Sequence, residues 1–308
     1  MVLGRIGLTG ATGMVGRHIR AALDAAGAKV VAVSRSGGND SARWNLAKWL
    51  ELDALDALFP KVDAIVHAGA LVYPTVGTSQ SDLFDVNVRA CANLAEWASA
   101  RLIPLVFISS SSVYANPDAG HLCEEDLLGR NDLGGFYGMT KLLAEDMLVR
   151  YRIQGLQLAV VRPSAIYGCG GPLIKMPYKF LNAAAQGEAI DLTPPIDDKI
   201  DFVHAADLSN AVVRILERSC WTTLNIASGA PVSIRELATV CGDLAGQRGI
   251  ALPAESDLRP PLQRFFLNTD LAQLRLDWQP QIDIRQGLSM VLAGCLTSTQ
   301  LTTHKQKE

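Results

Sequence analysis

The chain has 308 residues, 49% of them hydrophobic and 19% charged, and its 28 basic and 31 acidic side chains leave a formal net charge of −3. That near balance excludes the clustered positive surface of a nucleic-acid binder. No apolar run approaches the roughly 18 residues of a membrane span. No charged leader followed by an apolar stretch precedes the first strand signal, so no secretory signal is expected. Six scattered cysteines (Cys91, Cys123, Cys169, Cys220, Cys241 and Cys295) form no C-x-x-C pair, which predicts reduced thiols and a cytoplasmic setting. The five histidines show no ligand spacing, so no metal is expected.

In chain order, residues 6–8 read as a buried strand and 15–26 as a helix stopped by Gly27. Residues 29–33 and 63–67 are further short apolar runs, and 82–100 has helical periodicity. Residues 105–108 form a fourth strand signal, 136–152 a helix and 156–161 a fifth strand. Short apolar runs without strict alternation are strands covered on both faces, hence a parallel sheet with crossover helices. The predicted fold is α/β, a doubly wound parallel sheet with ligands at the carboxyl ends of its strands. After Arg162-Pro163 the pattern breaks. Loops rich in Gly and Pro separate helical segments near 175–186, 206–218 and 234–245. We expect a dinucleotide-binding domain over 1–164 and a smaller C-terminal substrate-binding lobe mainly over 165–308. Segments near 201–226 are expected to return to the first domain, and the polar tail 297–308 to fray.

Between the first strand and first helix stands Thr9-Gly10-Ala11-Thr12-Gly13-Met14-Val15-Gly16, three glycines spaced G-x-x-G-x-x-G. Glycine permits a tight turn and close approach of a pyrophosphate to the helix N-terminus, the Rossmann arrangement. Candidate cofactor contacts are therefore Gly10, Thr12, Gly13, Met14, Val15 and Gly16. The second strand ends in Ser34-Arg35, with no acid to hold the ribose hydroxyls of NAD. Arg35 offers a permanently charged fork to a 2′-phosphate, so NADP(H) is preferred, with NAD(H) as the other option. Asn45 and Leu46 are placed to reach the adenine.

Tyr137 and Lys141 lie four residues apart and share one helix face. A neighbouring ammonium lowers the pKa of a phenol, ordinarily near 10, and equips it for proton transfer at neutral pH. The serine run Ser109-Ser110-Ser111-Ser112 follows the fourth strand and puts hydroxyls at the sheet's carboxyl edge, where one can donate to a developing oxyanion.

These motifs resemble the extended short-chain dehydrogenases/reductases, also called NAD-dependent epimerases/dehydratases. The resemblance adds His67-Ala68-Gly69-Ala70, Asn87-Val88-Arg89-Ala90, Arg162-Pro163-Ser164-Ala165-Ile166-Tyr167-Gly168, Asp201-Phe202-Val203-His204-Ala205-Ala206-Asp207 and Trp278-Gln279-Pro280. It implies Ser110, Tyr137 and Lys141 as the catalytic set. It further implies Ala68, Gly69, Ala70, Asn87, Arg162 and Pro163 on the cofactor side. Ser110, Ser111, Tyr137, Ser164, Lys199 and Arg259 are the expected substrate contacts. It also implies a homodimer through the helices at 82–100 and 136–152, with Leu142, Leu143, Met147 and Leu148 as the apolar positions. Three departures matter. Dehydratases of the family carry an acid pair where Ser111 and Ser112 stand, so water elimination is not expected. Ile200 replaces a phosphate-gripping Arg, and Ser164 replaces a frequent Asn. The expected activity is hydride transfer at a carbonyl or carbinol carbon, by reduction or epimerisation of a sugar or nucleotide-sugar keto group. Reduction of a non-sugar ketone is one alternative, and a non-catalytic dinucleotide sensor is another.

Overall fold

Strand-length apolar runs alternating with amphipathic helices can bury both strand faces only if helices cover the sheet on each side. The computed structural model describes residues 3–38, 40–72, 78–246, 250–251 and 259–295 and has this layered form. The first elements are β1 (Arg5–Thr9), α1 (Met14–Ala25), β2 (Lys29–Ser34), β3 (Ala42–Arg43), α2 (Leu52–Leu58), β4 (Ala64–His67) and α3 (Gln80–Phe84). A π-helical turn (Asp85–Arg89), α4 (Ala90–Arg101), β5 (Leu105–Ile108), a 3-10 turn (Ser111–Val113), α5 (Gly135–Ile153) and β6 (Leu158–Pro163) follow. Next come β7 (Ala165–Tyr167), α6 (Tyr178–Ala185), β8 (Ile190–Asp191), β9 (Lys199–Ile200), β10 (Phe202–His204), α7 (Ala205–Arg218) and β11 (Thr223–Ile226). The chain ends with β12 (Val232–Ser233), α8 (Ile234–Leu244), β13 (Ile250–Ala251), β14 (Gln263–Arg264), α9 (Asp270–Leu276) and α10 (Ile284–Cys295). The predicted frayed tail at 297–308 lies outside the described residues.

Seven strands form one parallel sheet in the order β11-β6-β5-β4-β1-β2-β3. Leu8 of β1 faces Ala32 of β2 on one side and Val66 of β4 on the other. The strand order therefore reverses at β1, which makes the carboxyl end of β1 the crevice where such sheets bind ligands. One sheet face is covered by α1 and α7, around Leu8, Ile19, Val161 and Leu208. The other is covered by α4 and α5, around Ile65, Trp97, Phe107 and Leu148. A third apolar cluster joins Tyr167, Phe180, Ile196, Leu237 and Leu288.

The return to the sheet expected near 201–226 is α7 followed by β11, which pairs in parallel with β6. A second return was not legible in the sequence. Ala272, Leu276 and Trp278 join the core on the α1 side, and Trp278 Nε1 donates to the Asp207 carbonyl at 3.1 Å. The Asp207 carboxylate accepts the Gln281 and Ile282 N–H groups at 3.1 and 3.0 Å. The signal for this return was Trp278-Gln279-Pro280, whose partner stands some seventy positions earlier.

His204 starts α7, its Nδ1 accepting the Ala206 N–H at 3.2 Å. The ring is 1% exposed, and burial pushes its pKa from the ordinary 6.5 down to about 4. The folded chain thus refuses a proton that the unfolded chain accepts, and stability present above pH 6.5 is lost as the pH falls towards 4. His204→Asn keeps a helix-capping acceptor without a titrating ring. In urea titrations at pH 7 and pH 5 it should lose about 1–2 kcal/mol less than the wild type.

Candidate active site

Strand β1 feeds directly into the glycine turn. Gly10 has φ +69°, and a Cβ there would sit 2.6 Å from the Gly69 backbone, so only glycine lets the turn close against the end of β4. A Cβ on Gly16 would lie 2.0 Å from the Gly10 carbonyl oxygen, so Gly16 holds α1 against the turn from below. Helix α1 starts behind Gly13, which has no side chain to cap the first turn, and such uncapped N–H groups suit an anion. Above the turn runs a cavity of about 450 Å³. Gly10, Thr12, Gly13, Ser34, Arg35, Asn45, Leu46, Ala68, Gly69 and Ala70 all line it. Ten of the residues expected to touch the cofactor thus share one groove at the carboxyl end of β1. Trp44, Ala47, Leu71, Thr78, Asp82 and Val86 also line it and carried no local signal. Ser34 is committed to its own loop, bonding the Ser41 hydroxyl at 3.0 Å and accepting the Gly37 N–H at 3.1 Å. Arg35 is exposed at the groove.

Helix α5 brings the second half. A Cβ on Gly138 would fall 2.7 Å from the Ser112 carbonyl oxygen, so the helix turn that bears Tyr137 lies directly on the 3-10 turn following Ser110. Asn131 fastens the two. Its amide donates to the Ser112 and Tyr114 carbonyls at 2.8 and 2.9 Å, and its Oδ1 accepts the Gly134 N–H at 2.5 Å. Ser110 Oγ accepts the Ser112 N–H at 3.1 Å and is half-buried, as is Tyr137. Lys141 is buried, donating from Nζ to the Ile108 carbonyl at 2.8 Å with the ammonium 4.7 Å from the Phe107 ring centroid. Burial pushes its pKa down from 10.5 to about 8, so the ammonium is still the main form at pH 7.

Asn87 couples this helix to the groove. It stands in the π-helical turn, a distortion that often marks functional positions. Its Oδ1 accepts the Leu71 N–H at 2.9 Å, while its Nδ2 donates to the Leu71 carbonyl at 2.9 Å and to Thr140 Oγ1 at 3.0 Å. Thr140 in turn donates to the Tyr137 carbonyl at 2.7 Å. Beneath the groove, Thr9 Oγ1 lies 2.6 Å from His67 Nδ1, and burial pushes His67 down to about 3, which keeps it neutral.

The NAD dependent epimerase/dehydratase family matches residues 6–227. This chain belongs to that family. Among curated relatives, a dTDP-4-dehydro-6-deoxy-D-allose reductase from Streptomyces sp is 30% identical, over 91% of this chain and 93% of its own. GDP-6-deoxy-D-mannose reductase of Pseudomonas aeruginosa is 28% identical, over 94% and 96%. Among solved structures, MoeE5 in complex with UDP-glucose and NAD superposes with a TM-score of 0.79 at 26% identity, covering 94% of this chain and 98% of that one. The protein is thus an extended short-chain dehydrogenase/reductase, an enzyme family that works with a nicotinamide dinucleotide.

Several residues expected at the site have partners of their own within the chain. Arg162, expected beside the cofactor, directs its guanidinium into the interior, to Glu145, to the Tyr114 hydroxyl and to the Glu124 carbonyl. Pro163 is buried in β6. Val15 packs against the α1-side core. Neither Met14 nor Val15 is among the groove residues. Ser164, expected at the substrate, is buried and donates to Asp201 Oδ1 at 3.3 Å. Ser111 is also buried, inside the 3-10 turn. Arg259 reaches Asp198 at 2.6 Å, and Arg264, which stands in no motif of the sequence, shares that carboxylate at 2.9 Å. Lys199 precedes Ile200 in β9, which lies between β12 and β14. Among the described residues no group of three or more His, Cys, Asp or Glu side chains is arranged to hold a metal, and no helix is long and apolar enough to cross a membrane.

Proposed function

We propose that this protein reduces the 4-keto group of a nucleotide-linked 6-deoxysugar with NADPH. The observation that carries the reading is one continuous hydrogen-bonded framework. It ties the Ser110 turn and the helix of Tyr137 and Lys141 to one another and, through Asn87 and Leu71, to the wall of the groove, which supports reading them as one site. Serines at 111 and 112, where family dehydratases carry an acid pair, favour simple hydride transfer, and the relatives named as deoxysugar reductases support that choice. When bound, the reduced nicotinamide supplies a hydride. Tyr137 gives its phenolic proton to the carbonyl oxygen, and the Ser110 hydroxyl donates a hydrogen bond to the same oxygen as charge develops. The Lys141 ammonium stabilises the phenolate left behind. It has three N–H donors, and the Ile108 carbonyl takes one of them. Solvent then restores the proton to Tyr137. The sugar's diphosphate is assigned to Arg259 and Arg264, with Lys199 beside them. Arg35 at the groove rim, with no acid following β2, is assigned to the 2′-phosphate of NADPH.

Among the described residues Cys91, Cys123, Cys169, Cys220 and Cys241 are free thiols, which suits a cytoplasmic enzyme. The outer face of α5 supports a homodimer. Met139, Leu143 and Val149 are exposed there, as is Phe84 at the end of α3, and with Phe136 and Leu142 they line a hollow of about 620 Å³. Of the positions expected at that contact, Leu148 is instead fully buried in its own subunit and Met147 packs beside it.

Assayed with a panel of dTDP- and GDP-linked 4-keto-6-deoxyhexoses, wild-type protein should consume NADPH stoichiometrically. Tyr137→Phe should lose about 10²–10⁴-fold in kcat, and full turnover without the phenol would refute the assignment. By fluorescence titration NADPH should bind more tightly than NADH. Arg35→Ala should weaken NADPH by about tenfold or more and leave NADH unchanged; equal wild-type affinities would overturn the NADP reading. Light scattering at micromolar concentration should give the mass of two chains for wild type and of one for Leu143→Glu. A wild-type mass of one chain would rule the dimer out.

A further inference from the structure

Glu145 stands one helical turn beyond Lys141 on α5 and is buried, as is Arg162 on β6. The two meet in a forked pair, with Nη2 2.7 Å from Oε2 and Nε 3.1 and 3.2 Å from the two carboxylate oxygens. The Glu145 carboxylate also accepts the Ser109 hydroxyl. On its other side the Arg162 Nη1 donates to the Tyr114 hydroxyl at 3.2 Å and to the Glu124 carbonyl at 2.9 Å. Tyr114 is fully buried and donates onward to Asn225 Oδ1 on β11 at 2.6 Å.

We propose that the Glu145–Arg162 pair is the positioning device of this active site, clamping the segment 109–114 at both ends and so fixing Ser110 against the helix of Tyr137 and Lys141. The segment leaves β5 at Ser109, which is tied to the acid, and re-enters the interior at Tyr114, which is tied to the base. Ser110 and the 3-10 turn lie between these pins. Burying an ion pair here is a poor way to gain stability, because apolar side chains of like size do as well or better. What the forked pair supplies and apolar packing does not is direction: two parallel charge-assisted bonds fix the angle between α5 and β6. Catalysis is sensitive to such angles, since a displacement of about 1 Å can cost about 10²-fold in rate. The proposal rests on the Ser110, Tyr137 and Lys141 reading above. Glu145 and Arg162 act through those residues.

The test uses the full chain. Ser109→Ala and Tyr114→Phe, singly and together, release the two pins without leaving a buried charge unpaired, and Glu145→Gln keeps the shape of the acid but not its charge. Hydrogen–deuterium exchange should show the amides of 112–114 exchanging about tenfold or more faster in the double variant, with β1 and β4 unchanged. In the NADPH assay with the same keto-sugar panel, kcat should fall about 10- to 100-fold, while KM and the NADPH Kd stay within about twofold. Unchanged exchange at 112–114 overturns the clamp. So does faster exchange with unchanged kcat, or a kcat loss matched by an equal loss of NADPH affinity, which would mark general loosening. Full turnover by Tyr137→Phe would sink the proposed chemistry instead, and the exchange result would still decide the clamp.

Discussion

The molecule depends on a single buried amide. Asn87 satisfies both backbone groups of Leu71 in the groove wall and also donates to Thr140 on α5. That link runs between the groove built from the ends of β1, β2 and β4 and helix α5, which the sheet otherwise joins only through its backbone and core. A buried amide with all its bonds met is costly to disturb, because each orphaned group carries its full desolvation penalty. The π-helical turn is what presents Asn87 to both partners at once. A regular helix through Asp85–Arg89 would rotate that side chain away from at least one of them.

Much of this was legible along the chain because it is local. The strand runs, the glycine turn, the Tyr137–Lys141 spacing and the serine run each express a constraint confined to a few neighbouring residues, and the structure places them at one sheet edge. What the sequence does not reveal lies where a side chain's partner is remote. Nothing near Arg162 says that its guanidinium turns inward to Glu145, nor near Ser164 that Asp201 takes its hydroxyl. Tyr114 and Asn225 are 111 positions apart. Trp44 lines the groove although its surroundings have no strand or helix period, because β3 is only two residues long. Arg264 was passed over for a related reason: it matters through the carboxylate it shares with Arg259, and Asp198 is more than sixty positions away.

The electrostatic design follows the same division. His67 under the groove is kept neutral by burial, so it adds no competing charge beneath the cofactor site. Lys141 is a cation carried deep between β5 and α5, and burial lowers its pKa without neutralising it at pH 7. Close by, Glu145 and Arg162 hold one another in a buried ion pair.

The path of the chain has a further consequence. It leaves the main sheet after β6, comes back as α7 and β11, departs with α8, comes back with α9 and Trp278, and departs a last time with α10. Five crossings join the two sides, so no single cut divides the protein into pieces that each keep a whole core. A piece cut from either side would expose part of a core that the other side completes. Several connections would have to move together for the two sides to shift, a geometry that favours shear over a single hinge.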